Sequence, residues 1–410
     1  MKRFLLISSI ALFAIASAWG TEPLKDYSFV RGVCYPGGWR NSLEQIEREL
    51  GYAQRLNINS TRIWLSPQSY ERNPEQFIEQ LQTYIRTAYT FGINTMPILF
   101  NGNMIDPVIL EADYRKTADA YVKAVIEAVK DEPGLFVWDI MNEPLCSEYY
   151  SEAPNEKEKK AREDKIWEFV RHYCKLVKKL DGKTAVTVGV TYAHRLEPIA
   201  DLVDVLSFHD YFETRAKVQA TYDAVKEVSA RHGNKPIINS ELCCIGRANP
   251  YDMALELCEK NKAGFYVFDL IVGGYWGDVH GIFYTDGTIR DPAIVSALMG
   301  FYRNKDPKTR VRQNPNKEGY VVRALHMLQE AMKDETKLFR GQRSSTDEIL
   351  EACEWCANLL EGSEMVPMID APTVKIRAWQ EQPEKERDLE AIRQFAYELA
   401  QTLKKYCQIL

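Results

Sequence analysis

The sequence predicts an α/β protein: a (β/α)8 TIM barrel with a C-terminal helical extension. From about residue 28 onward, short runs rich in apolar and β-branched residues alternate with amphipathic helical stretches, the pattern of a parallel α/β fold. The runs come to eight, the count that closes a barrel. No glycine-rich dinucleotide fingerprint follows the first run, so a doubly wound open sheet is the weaker alternative.

In chain order the strands are expected at Phe29–Cys34, Ser60–Leu65, Asn94–Leu99, Leu135–Met141, Ala185–Val190, Val203–Phe208, Pro236–Ser240 and Gly264–Phe268. Each is a short, mostly apolar run, as a strand covered on both faces should be. Helices are expected between them at Ser42–Leu56, Pro74–Phe91, Lys116–Val129, Glu156–Leu180 and Thr214–His232, and Pro292–Tyr302 closes the series. The barrel therefore occupies residues 19–302. Residues 303–319 are polar and basic and are interrupted by Pro307 and Pro315, which marks a linker. Residues 320–410 read as three helices of unassigned role. Val321, Leu325, Leu328 and Met332 recur at helical spacing. Ser345 and Glu348 form a capping-box pattern ahead of Ile349, Cys353, Cys356 and Leu360, and Leu389, Ile392, Phe395, Leu399 and Leu403 complete the set.

The ends of the chain and its composition narrow the setting. Residues 1–18 combine Lys2-Arg3, an apolar stretch from Phe4 to about Ala16, and Ala16-Ser17-Ala18, the layout of a secretory signal peptide cleaved after Ala18. A secreted or periplasmic protein is expected, with no membrane anchor after cleavage. The 410 residues are 45% hydrophobic and 27% charged, an ordinary globular balance. Losing Lys2 and Arg3 takes the formal charge from −6 to −6 − 2 = −8, which argues against nucleic acid and anionic membrane as partners. Nine cysteines leave at least one unpaired and do not resemble a disulfide framework. Cys353 and Cys356 make a Cys-x-x-Cys without a second ligand pair, so buried packing is favoured over a metal site.

The chemistry points to strand ends. Phe136 to Met141 is an apolar run that stops in Asn142-Glu143-Pro144, and residues at the carboxyl ends of barrel strands face the open top, where reacting groups sit. Pro144 ends the strand because it has no N–H to donate, and Asn142 sets an amide beside the carboxylate, suited to a sugar hydroxyl. Lys235 to Ser240 repeats the context and ends in Glu241. A retaining glycosidase needs one carboxylic acid to protonate the leaving oxygen and one carboxylate to attack the anomeric carbon, with the two about 5–5.5 Å apart. Glu143 and Glu241 suit those roles, although either alone could be a turn residue or a salt-bridge partner.

The Asn-Glu-Pro at 142–144, the strand-end Glu241 and Ser207-Phe208-His209-Asp210-Tyr211 between them resemble clan A glycoside hydrolases, most nearly the cellulase-like family 5. The resemblance covers residues from about 28 to 300. It implies Glu143 as acid/base, Glu241 as nucleophile, His209 near the acid/base and Tyr211 hydrogen-bonded to the nucleophile. Arg62, in Ser60-Thr61-Arg62-Ile63-Trp64, matches the strand-two arginine that keeps the nucleophile ionised. Two positions depart from the pattern. The third strand offers Asn101 and Asn103 where the family has a His, and the eighth ends in Phe268-Asp269 where it has a Trp.

Aromatic faces at strand ends stack on pyranose rings. Trp276, in the loop after the eighth strand, is a candidate platform, as is Trp39 in Tyr35-Pro36-Gly37-Gly38-Trp39, whereas Trp64, Trp138 and Trp167 read as core. His280 and Asp286 are possible substrate contacts. The expectation is therefore a hydrolase cleaving O-glycosidic bonds of a β-linked glycan of glucan or mannan type, its partner an oligo- or polysaccharide, with no metal and no organic cofactor. A non-catalytic carbohydrate-binding barrel or scaffold is the alternative.

Overall fold

The computed structural model describes residues 23–104, 107–274, 276–300, 328, 331–332, 346–360 and 372–409. The expected leader at 1–18, the linker at 303–319 and most of the first tail helix lie outside the described residues. Nine strands form one parallel sheet: β1 (Arg31–Cys34), β2 (Ser60–Trp64), β3 (Asn94–Asn101), β4 (Val137–Asn142), β5 (Ala185–Thr187), β6 (Gly189–Val190), β7 (Leu206–Asp210), β8 (Ile237–Leu242) and β9 (Gly264–Val267). Their order, β5-β4-β3-β2-β1-β9-β8-β7-β6, leaves β5 and β6 at the two ends, and only Val188 separates those two in the chain. β5 pairs with β4 and β6 with β7, so they are halves of one strand and the sheet closes as an eight-position barrel.

Four strands run further than expected, β3 to Asn101, β4 to Asn142, and β7 and β8 by two residues each. β7 continues through His209 to Asp210 and β8 through Glu241 to Leu242, with His209 facing Glu241 across a register shift after Phe208. Both side chains are therefore held by the sheet itself. The helices start where polar caps allow: Ser42, Asn73, Asn155 and Thr214 each accept from a backbone N–H three residues on, satisfying a donor the helix cannot. The helix Tyr251–Lys260, beyond those enumerated, joins β8 to β9.

Two apolar layers hold the barrel. Helix faces such as Leu81, Tyr84 and Ile85 or Val122, Val125 and Ile126 pack on the outside of the sheet, while Tyr27, Val30, Met96, Val137, Ile238 and Tyr266 form a separate buried cluster within it. The C-terminal helices Thr346–Leu360, Pro372–Gln380 and Leu389–Ile409 gather Leu328, Ile349, Cys353, Ile392, Phe395 and Leu399 into a cluster of their own. Pro372–Gln380 was not among the expected helices. Cys353 and Cys356 are fully buried in that cluster. No helix among the described residues is long and apolar enough to cross a membrane.

Candidate active site

Arg62 organises the top of the barrel. Fully buried on β2, it donates from Nε and Nη2 to Asp139 Oδ2 (2.9 and 2.7 Å), from Nη1 to Glu241 Oε1 (2.7 Å) and from Nη2 to Asn142 Oδ1 (2.8 Å). A buried cation is tolerable only when paired and hydrogen-bonded. Burial opposes the charged guanidinium, but Asp139 and then Glu241 outweigh it and hold its pKa above the usual arginine value. Asp139 is a residue the sequence reading missed. Its signal was a lone carboxylate inside an otherwise apolar strand.

Gly189 makes room for this arrangement. A Cβ there would lie 2.5 Å from Arg62 Nη2 and 3.1 Å from both Asp139 Oδ2 and His209 Nε2. Its N–H donates to Asp139 Oδ1 (3.1 Å), and its carbonyl accepts from the Glu143 N–H (2.7 Å). That second bond helps hold Glu143 at φ +46°, a left-handed conformation uncommon for a non-glycine residue. Gly102, at the end of β3, is required in the same way, because a Cβ would stand 1.8 Å from the Glu143 carbonyl oxygen.

The two glutamates have different partners. Glu241 is almost completely buried and accepts from Arg62 through Oε1 and from the Tyr211 hydroxyl through Oε2 (3.0 Å). Burial, followed by the charge of Glu241, pushes the Tyr211 phenol well above its usual range, so it remains an O–H donor. Glu143 Oε1 lies 2.7 Å from His209 Nδ1, which is also 3.5 Å from Glu241 Oε2. Burial raises the Glu143 pKa, but the hydrogen bond and charge of His209, the Cys146 thiol and Arg62 together outweigh it and leave the group below the usual value. Carboxylate oxygens of Glu143 and Glu241 lie within 4.8 Å of each other.

These groups open into a cleft of about 720 Å³, within the range of roughly 300–1,000 Å³ usual for small-ligand sites. Arg62 sits beneath the cleft, and Asn142, Glu143, His209, Tyr211, Glu241 and Trp276 line it. Asn142 also donates from Nδ2 to Asn101 Oδ1 (3.2 Å), leaving its second N–H for a ligand. Trp276 is 49% exposed, with its ring edge-on to His280 at 6.1 Å. Burial lowers the His280 pKa, and its Nδ1–H serves the carbonyls of Phe268 (3.0 Å) and Cys243 (3.2 Å), which leaves Nε2 as the acceptor.

Several expectations are corrected. Trp39 is 1% exposed, donates from Nε1 to the Trp64 carbonyl (2.9 Å) and packs edge-on against Phe77, so it has no free face for a sugar. Tyr35 turns away to hydrogen-bond Glu49. Trp64, assigned to the core, is half-buried in the cleft wall at 5.9 Å from Phe268. Phe268, just after β9, lines the cleft where the resemblance called for a Trp. Asp286 lies outside the cleft and caps the Thr288 N–H (2.9 Å).

Glu143, His209 and Glu241 are also the described residues with metal-like spacing. The Arg62 guanidinium, already bonded to Glu241, disfavours a dication there by charge repulsion.

The sequence matches no family model and no curated protein. By fold it is similar to the endo-β-1,4-mannanase of Thermotoga petrophila, at 17% identity and a TM-score of 0.52 over 69% of this chain and 78% of that one. A second structure, the hyperthermostable endo-1,4-β-D-mannanase from Thermotoga petrophila RKU-1, shares 18% identity at a TM-score of 0.52 over 66% and 98%. The endo-1,4-β-mannanase of Rhizomucor miehei shares 15% at a TM-score of 0.51 over 65% and 91%. At these identities the likeness establishes the (β/α)8 fold.

Proposed function

We propose that the protein is a retaining glycoside hydrolase that cleaves a β-linked glycan of glucan or mannan type, with Glu143 as acid/base and Glu241 as nucleophile. The observation that carries the proposal is the spacing of the two carboxylates, with oxygens within 4.8 Å. That spacing suits direct attack, whereas an inverting pair stands about 6.5–9.5 Å apart to admit a water. The fold shared with endo-mannanases supports it, and the basic leader-like segment supports export of the chain.

The cycle follows from the donors. Substrate filling the cleft removes water from Glu143, which is 13% exposed, and burial then favours its neutral form. In its neutral form Glu143, held by His209 Nδ1, gives its proton to the glycosidic oxygen. Glu241 attacks the anomeric carbon as the C–O bond breaks, forming a glycosyl ester. Its oxygens keep the Arg62 and Tyr211 hydrogen bonds, which orient the carboxylate. Water entering the vacated site gives a proton to Glu143 and displaces Glu241, releasing sugar of unchanged configuration.

The test is hydrolysis of β-mannan, β-glucan and aryl β-glycosides by wild type and Glu241→Ala, with the anomeric configuration followed by proton NMR. Turnover with retention that disappears in the variant is expected. An inverted product overturns the nucleophile assignment. Sugar binding without turnover favours a binding barrel.

A further inference from the structure

The cleft carries a charge pattern that two catalytic carboxylates do not explain. Arg40, Arg72 and Arg247 line it, and Glu143 and Glu241 are the only carboxylates in the described lining. Elsewhere on the barrel surface Arg86 pairs with Glu132, Arg171 with Asp201, Arg215 with Glu256 and Arg231 with Glu197, while Arg55 and Arg290 spend their donors on backbone carbonyls. The three cleft arginines have no carboxylate within ion-pair distance among the described residues. This holds in a chain with 58 acidic residues to 52 basic ones. Asp139 and Glu241 share Arg62, so with Glu143 the groups at the cleft sum to +4 − 3 = +1, and the three outer arginines face the ligand.

The placement is specific. Arg247 lies 5.0 Å over the ring of Tyr211, whose hydroxyl holds Glu241, so its exposed guanidinium stands beside the reacting position. Arg40 stands on the loop after β1, 5.8 Å over Trp39, with its fork exposed. Arg72 spends two donors on the Gln68 carbonyl and the Ser69 hydroxyl and keeps the rest. A planar guanidinium fork matches an oxyanion such as a carboxylate bidentately and gains little from a neutral hydroxyl.

We infer that the cleft takes an acidic glycan, with Arg247 gripping an anionic substituent, a uronic carboxylate or a sulfate ester, on the sugar at the reacting position and Arg40 and Arg72 meeting further anionic units. This rests on the proposed glycosidase reading for its chemistry but concerns the ligand. The β-linked gluco- or manno-configured backbone is kept, and the neutral hydroxymethyl group gives way to an acid.

The experiment uses matched ligands and the full chain. Oligo-β-mannuronate is compared with its carboxyl-reduced form, and an aryl β-glucuronide with the aryl β-glucoside and its 6-sulfate, measuring both binding by calorimetry and aryl release. The anionic member should bind about 10- to 100-fold more tightly, as a charge-assisted contact provides, and the ratio should shrink at high salt. Arg247→Gln should narrow that ratio by about 10-fold and Arg247→Lys should restore part of it. Arg40→Gln, away from Tyr211, provides a second variant for the oligosaccharide arm. The order of uronate and sulfate identifies the source of the anion. Equal affinity within each pair, or no affinity for either, overturns the inference even if neutral glycans are hydrolysed. Tight anion-dependent binding without hydrolysis leaves the inference standing and removes the glycosidase reading instead.

Discussion

Asp210 stands on β7 between His209 and Tyr211, yet its side chain lies outside the cleft lining, on the buried side of the strand. Oδ1 accepts from the Phe212 N–H (3.0 Å), while Oδ2 is buried without a partner. Burial pushes the carboxyl up from 3.8 to about 6, against a smaller opposing effect of the Phe212 hydrogen bond. Because the folded pKa is raised, the folded protein keeps a proton that the unfolded chain releases. Its stabilising effect is complete below the unfolded value of 3.8 and is lost as pH rises to about 6. A difference of roughly two units at 1.36 kcal/mol each makes this about 3 kcal/mol. Asp210→Asn keeps the acceptor for Phe212 and removes the charge. The variant should match wild type near pH 4 and exceed it by about 3 kcal/mol near pH 8, with the difference growing between those limits. Urea unfolding followed by tryptophan fluorescence at a series of pH values measures this. A difference that does not change with pH, or a variant less stable at high pH, refutes the burial argument.

Gly189→Ala should leave the circular dichroism spectrum and most of the melting temperature in place while lowering kcat on the order of 100-fold, because the new methyl displaces Arg62 and His209 by an ångström or so. Unaltered kinetics would show that the close approach is not needed. Glu143→Gln assayed on an activated aryl glycoside should lose the alkaline limb of the kcat/KM profile, since an acid role requires a proton on Glu143 that is released as pH rises. Truncation near residue 305 should give a folded, active barrel, given the separate apolar cluster of the tail, and loss of a cooperative melt would place the tail in the barrel's core. Protein exported by its native host should begin at Trp19 by N-terminal sequencing; a retained Met1 contradicts processing.

The barrel was legible because its signal is local and repeated: an apolar run, a cap, an amphipathic helix. The strand ends carrying Glu143 and Glu241 were legible for the same reason, and the structure brings both to one cleft with Arg62, His209 and Tyr211. What escaped was set by distant contacts. Trp39 sits in a glycine-rich loop that reads as exposed, but the helix Pro74–Thr90 supplies Phe77 to cover it. Trp64 reads as an interior strand residue, but it ends β2 half-buried at the cleft wall. The register shift that sets His209 opposite Glu241 depends on β8 as much as on β7. Arg247 has no local mark at all, being one surface arginine in a loop until the fold lays it over Tyr211.

Under the proposed glycosidase reading, the division of labour between the two glutamates follows from the kind of donor each has been given. Glu241 accepts from Arg62 and Tyr211, a guanidinium and a phenol that keep their protons throughout the neutral range. A proton arriving on Glu241 would have to displace one of these bonds and leave Arg62 with a single carboxylate, Asp139, in a fully buried site. Glu143 accepts instead from His209 Nδ1 and stays partly open to the cleft. A proton on Glu143 disturbs no bond that Arg62 makes to Asp139 or Glu241. The low pKa of Glu143 in the open cleft is compatible with an acid role, because burial under a bound substrate favours its neutral form. The fixed donors orient a carboxylate for attack, and the more open setting of Glu143 suits a group that must change its proton twice in each proposed cycle.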